Sequence, residues 1–169
     1  MIAAHEFLHA SILIVDDLPA NVQLLERLLH EAGYTKVTST MDSLAVCALH
    51  REHRYDLILL DLQMPGMDGF QVMQGLATDA ADSYLPVIAL TAQPSHKLRA
   101  LQAGAKDFIS KPFDLLEVKT RIHNMLEVRL LYRQLKSHNQ LLEQAVQERW
   151  PRARRRVSRE RVAKAVACR

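Results

Sequence analysis

Short apolar runs alternate with amphipathic segments five times along this chain, and that alternation restricts the fold more than any other feature. The runs are Ser11–Val15, Lys36–Ser39, Leu57–Leu60, Pro86–Leu90 and Asp107–Ile109. Strands separated by helices point to an α/β architecture with a parallel sheet. Three of the runs (Ile12 to Val15, Leu57 to Leu60 and Val87 to Leu90) are almost purely apolar, as strands become when helices cover both faces of a sheet. Lys36-Val37-Thr38-Ser39 is short and mixed, which suits an edge. In such sheets ligands and chemistry gather at the carboxyl ends of the strands. Reading only those ends selects Asp16 and Asp17, Asp61, Thr91 and Lys111.

The segments between the runs carry helix signals. Pro19 opens the first helix; Val22, Leu25, Leu28 and Leu29 recur at helical spacing, and Gly33 stops it. Asp42 or Ser43 caps a second helix, with Leu44, Cys47 and Ala48 expected to face inward. A third spans Gly69 to Thr78 and a fourth Ser95 to Ala103, ended by Gly104. The fifth begins near Asp114 and meets no stop signal until Pro151. Within it Val128, Leu131, Leu135, His138, Leu142 and Ala145 follow the 3-4 rhythm of a coiled-coil seam over roughly three heptads. A helix folded back on its own domain is the alternative. Its length favours a partner for the stripe, and the expectation is a homodimer.

Charge is divided along the chain. The net charge is +3, yet nine of the 22 Lys and Arg lie between Arg149 and Arg169 beside a single acid, Glu160. The remaining thirteen basic residues face eighteen acids, so the body is acidic and only the tail is basic. Cys47 and Cys168 match no metal or redox spacing. The first residues show no signal-peptide pattern, and no run approaches the ~20 apolar residues of a membrane span. A cytoplasmic protein without a membrane partner is expected.

Three carboxylates converging at strand ends repel one another unless a cation joins them. A hard divalent ion with oxygen ligands, Mg²⁺, resolves this. One acid can then act as a nucleophile toward phosphorus. Asp61 is the choice, because it stands alone after an apolar strand and faces the tight loop Leu62 to Gly69. Lys111 supplies a point charge for a phosphoryl group and Thr91 a hydroxyl donor. His50 and His53 read as solvent-facing rather than as metal ligands, for no third ligand lies near them in sequence.

Four motifs in order carry a family resemblance: Ile14-Val15-Asp16-Asp17, Leu59-Leu60-Asp61 with the loop to Gly69, Leu90-Thr91-Ala92, and Ala103 to Phe113. Together they resemble the receiver domain of two-component response regulators, over about Ser11 to Met125. The resemblance implies a doubly wound, flavodoxin-like five-stranded parallel sheet of order 2-1-3-4-5, here with an extended C-terminal helix. It implies phosphoryl transfer to Asp61 from a histidine kinase or phosphotransfer protein. Mg²⁺ would be held by Asp16, Asp17, Asp61 and the Gln63 backbone carbonyl, and the phosphoryl oxygens by Thr91 and Lys111. A cis bond is expected before Pro112. Thr91 and Phe108 would switch the surface of the fourth helix, fifth strand and fifth helix; a plain buried strand residue is the other reading of Phe108. Gln63 and Gln93, two places after Asp61 and Thr91, would tune hydrolysis.

The expected organisation is an extension (residues 1–10), a receiver (11–125), a helical or coiled-coil extension (126–149) and a basic, disordered tail (150–169). An arm for nucleic acid and an out-of-frame ending are rival readings of that tail; scarce aromatic residues argue against nucleic acid. The output partner is not named by the sequence. Two rivals to the switch are a Mg²⁺-dependent phosphotransferase or phosphatase acting on external substrate and a receiver that no longer takes phosphate. The first lacks a second acid/base carboxylate (position 63 is Gln) and a cap; the second is opposed by five intact site residues.

Overall fold

Five strands form one parallel sheet in the order β2-β1-β3-β4-β5: β1 (Ser11–Val15), β2 (Lys36–Thr40), β3 (Leu57–Asp61), β4 (Val87–Thr91) and β5 (Asp107–Ser110). The structure, a computed structural model, describes the backbone of residues 4–78 and 84–167 and the side chains of residues 5–78 and 84–148. The chain divides into two units, Met1–Leu131 and Tyr132–Arg169.

In the first unit the three central strands β1, β3 and β4 are buried nearly throughout, while β2 alternates between half-buried and exposed at its edge. Side chains alternate across the sheet, and two apolar layers result. On one face Ile12, Ile14, Leu57, Leu59, Ile88 and Leu90 meet Val22, Leu25, Leu28 and Leu29 of α2 (Pro19–Glu31) and Val118, Ile122 and Leu126 of α6 (Leu115–Ala167). On the other, Leu13, Val15, Ile58, Leu60, Val87 and Ala89 meet Val46 of α3 (Val46–His53), Phe70, Val72, Met73 and Leu76 of α4 (Gly69–Ala77), and Ala100 of α5 (Pro94–Gln102). Cutting a fully buried leucine such as Leu25 or Leu59 to alanine costs about 2–5 kcal/mol in such layers.

Register then brings the strand ends together. Val15 pairs with Leu60, Asp61 with Leu90, and Thr91 with Ser110. Each central strand therefore ends level with its neighbour, and the residues that follow share one edge.

Three local readings change. The N-terminal extension forms a short helix, α1 (Ala4–Leu8), whose Phe7 packs on the core. Five residues are too few for a periodic signal, so the sequence did not announce it. Asp42 does cap, accepting from the Leu44 amide at 2.9 Å, but it caps a single 3-10 turn, Ser43–Ala45, ahead of α3. That turn shifts the helical phase: Leu44 and Ala48 are exposed, and Val46 and His50 face inward instead. The reading of His50 as solvent-facing is thus corrected, whereas His53 is exposed.

The second unit is helical. Backbone helix continues through Pro151 to Ala167, within the stretch for which the sequence suggests a disordered tail. Alanine and arginine, frequent there, are strong helix formers; the side chains from residue 149 onward lie outside the described residues. Leu135, Leu141, Leu142 and Val146 are all exposed. Among the described residues no helix is long and apolar enough to cross a membrane.

Candidate phosphoacceptor site

Asp16, Asp17 and Asp61 bring carboxylate oxygens within 4.8 Å of one another at the carboxyl edge of the sheet. Asp16 and Asp61 are buried and Asp17 is half-buried. Among the described residues one cation stands with them: Lys111 Nζ lies 2.8 Å from Asp16 Oδ2 and 3.0 Å from Asp61 Oδ2. Its backbone amide donates to the Thr91 carbonyl at 2.9 Å, and the Lys111–Pro112 bond is cis. A single lysine leaves the cluster with net negative charge.

Each carboxylate is aimed by its neighbours. Asp16 Oδ1 accepts the Leu18 amide at 2.9 Å, and the Asn21 side chain donates to both Asp16 oxygens, at 3.2 and 3.0 Å. Asp61 Oδ1 accepts the Gln63 amide at 3.2 Å. The loop behind Asp61 is closed by geometry: a Cβ at position 69 would lie 2.5 Å from the Asp61 carbonyl oxygen, so only glycine fits there. Asp68 and Gln71 form a reciprocal capping box that starts α4 directly after this loop. Thr91 is buried, and its hydroxyl sits in a local turn, accepting from the Gln93 amide at 3.0 Å.

Burial pushes the Asp61 carboxyl above its ordinary range; the Gln63 amide and Lys111 pull it back, and the Asp16 charge adds to the rise. Burial prevails over both the Gln63 amide and the 3.0 Å contact with Lys111. A surplus of carboxylate oxygens, hard and closely gathered, is the donor set that suits a hard divalent cation.

Phe108 on β5 is half-buried, with Lys97 Nζ 5.0 Å and the Arg121 guanidinium carbon 5.4 Å from its ring centroid. Arg121 is itself held by Asp107 at 2.6 Å and Glu117 at 2.8 Å. Gln63 is exposed at the mouth of the cluster, as is Gln93.

The five residues chosen at strand ends therefore stand at one edge, and Lys111 touches two of them. Asn21 escaped the sequence reading, since an asparagine in the first turn of a helix resembles any other polar surface position. A second buried charge pair also escaped it. Asp56, just before β3, accepts the Ser11 amide at 3.1 Å and lies 3.6 Å from Arg129 Nε; Arg129 in turn donates to the Tyr84 carbonyl. Both members are buried, and nothing in their spacing foretells the contact.

The response regulator receiver domain family matches residues 12–123. Response regulator PleD of Caulobacter vibrioides is 38% identical over 129 residues, covering 75% of this chain and 28% of that protein. The transcriptional regulator RpaA of Synechocystis sp. is 38% identical over 135 residues, covering 79% of this chain and 56% of that protein. The chain thus spans between about a quarter and just over half the length of these relatives. Among solved structures, the receiver domain of the sensor histidine kinase PA1611 from Pseudomonas aeruginosa, which holds a magnesium ion in its active-site cleft, superposes with a TM-score of 0.65 at 31% identity, over 70% of this chain and 98% of that one. The chain belongs to the receiver domain family of two-component signalling.

Proposed function

We propose that this protein is a phosphorylation-controlled switch in which Asp61 accepts a phosphoryl group from a histidine kinase or phosphotransfer protein. The observation that carries this reading is the surplus of carboxylate around Lys111 at the end of β3. A carboxylate oxygen of Asp61 attacks phosphorus of a phosphohistidine. The O–P bond forms as the P–N bond breaks, and the imidazole leaves with the electron pair. Hydrolysis reverses the state: water attacks phosphorus, the bond to Asp61 breaks, and inorganic phosphate departs.

Asp16, Asp17, Asp61 and the Gln63 carbonyl would hold Mg²⁺, whose contribution is to neutralise charge on the phosphoryl oxygens. Lys111 would meet one phosphoryl oxygen with its ammonium group, a role its contacts with Asp16 and Asp61 support, and Asn21 would keep Asp16 oriented while that charge shifts. Thr91 would give up its turn with Gln93 and donate its hydroxyl to another phosphoryl oxygen. Phe108 would then turn toward the space Thr91 leaves, altering the surface of α5, β5 and the start of α6. The module turns over no external substrate and catalyses at most its own phosphorylation and dephosphorylation. Residues 11–125 make up the receiver and 126–149 the helical extension; the extension's exposed Leu135 and Leu142 support a homodimer through a coiled coil. The reading is that of a cytoplasmic protein with a separate output partner.

Light scattering with Mg²⁺ alone, then with beryllofluoride as a mimic of the phosphoryl group, tests this. A change in mass that vanishes in Asp61→Asn is the result expected. A dimer in both conditions moves the switch to another surface, and a monomer in both removes the coiled coil.

A further inference from the structure

The first unit holds a second concave site that the switch does not use. A cavity of about 470 Å³ is lined by Phe7 and Leu8 of α1, Leu29 and Ala32 at the end of α2, Tyr34, and Lys119 and His123 of α6. That volume falls in the range of small-molecule sites. It lies toward the amino-terminal edge of the sheet, since Leu8 leads into β1 and Tyr34 into β2. Asp61 closes the opposite edge.

Its walls are fixed by contacts of their own. The Thr35 amide and hydroxyl both donate to the Leu8 carbonyl, at 2.9 and 3.0 Å, tying α1 to the loop before β2. Gly33, at φ +95°, lets that loop pass under Leu8, whose Cδ2 would lie 3.2 Å from a Cβ there. The Phe7 ring stacks on His123 at 4.8 Å between centroids and 16° between planes. Leu29 and Tyr34 are buried beneath.

The charge on this lining is one-sided. Lys119 and His123 are one helical turn apart on α6 and share a face. Among the described residues no carboxylate is in the lining. Burial raises the Tyr34 phenol above its ordinary range, so this wall carries no negative charge at neutral pH. Apolar walls with a lysine at the rim complement an amphiphilic anion.

We infer that this cavity binds a small apolar monocarboxylate, its hydrocarbon body against Phe7, Leu8, Leu29 and Tyr34 and its carboxylate on Lys119. The site is independent of phosphoryl transfer, and its test is arranged accordingly.

The full chain, uniformly labelled with ¹⁵N, is titrated at neutral pH with decanoate below its micelle concentration, without Mg²⁺ or beryllofluoride. The expected result is saturable movement of the Leu8, Gly33 and Tyr34 amide signals. Decanol binds more weakly, and exposed Lys119→Gln lowers decanoate affinity about tenfold, the scale of one charge-assisted hydrogen bond. Asp61→Asn binds decanoate as the wild type does, which separates this inference from the phosphoacceptor reading. Failure to saturate, movement confined to other signals, or equal affinity in Lys119→Gln would each overturn it.

Discussion

The two ends of β3 carry buried carboxylates with opposite arithmetic. At the amino end Asp56 meets the Arg129 guanidinium and the Ser11 backbone amide. At the carboxyl end Asp61 shares one ammonium with Asp16 while Asp17 stands close by. The first arrangement matches charge with charge and joins α6, through Arg129, to the base of the sheet. The second leaves negative charge unmatched, at a cost in stability that a folded chain accepts where chemistry is done. Burial alone does not separate structural acids from reactive ones; the local balance of charge does.

That contrast can be broken most sharply at the two cations. Arg129→Met removes the guanidinium beside the buried Asp56 carboxylate, and a loss of about 3–5 kcal/mol is expected from urea unfolding. Lys111→Met takes the cation from two buried carboxylates, Asp16 and Asp61, and should strongly reduce phosphorylation by acetyl phosphate, whereas Arg129→Met should leave that reaction in place in the folded chain. Loss of phosphorylation in both variants would erase the distinction.

The loop behind Asp61 comes next. Gly69→Ala forces a Cβ against the Asp61 carbonyl and should cost about 1–3 kcal/mol, as overpacking does, while slowing phosphorylation through displacement of Asp61. An unchanged unfolding midpoint would show that the loop relaxes freely.

A subtler test uses pH. The native Asp61 carboxyl is raised by burial. Such a group adds stability that is fully present below its unfolded pKa of ~4 and is lost as pH rises through the folded value. Metal-free Asp61→Asn, which cannot ionise, should therefore be more stable than the wild type at neutral pH. The gap should close as the solution is acidified toward the ordinary carboxylate range. Paired unfolding curves check this; a variant less stable than wild type at neutral pH would contradict it.

The smallest effect is reserved for Gln63 and Gln93. Their exposed amides border the cluster, and double alanine substitution should alter the lifetime of the phosphorylated state without changing stability. An unchanged dephosphorylation rate would remove them from the account.

How far the sequence reached follows from the range of each interaction. Strand ends were legible because apolar runs such as Leu57–Leu60 stop at a charged residue, and sheet topology gathers whatever follows. Strand bounds differed by a residue, with Asp61 and Thr91 inside their strands. The phase of α3 was not legible, since a capping aspartate does not reveal whether a 3-10 turn or an α-turn follows it. That single turn moved His50 inward. Arg129 with Asp56, and Asn21 on Asp16, depend on how helices settle against the sheet, and periodicity places a helix face without choosing its partners.

The central claim is that Asp61, and not another of the clustered acids, takes the phosphoryl group. Incubation of the full chain with acetyl phosphate and Mg²⁺, followed by borohydride trapping and peptide mass spectrometry, addresses it directly. Modification confined to the peptide bearing Asp61, and lost in Asp61→Asn, is the result predicted. Modification at Asp16 or Asp17, or an intact chain that takes no label while its Asp61 remains accessible to beryllofluoride, would contradict it.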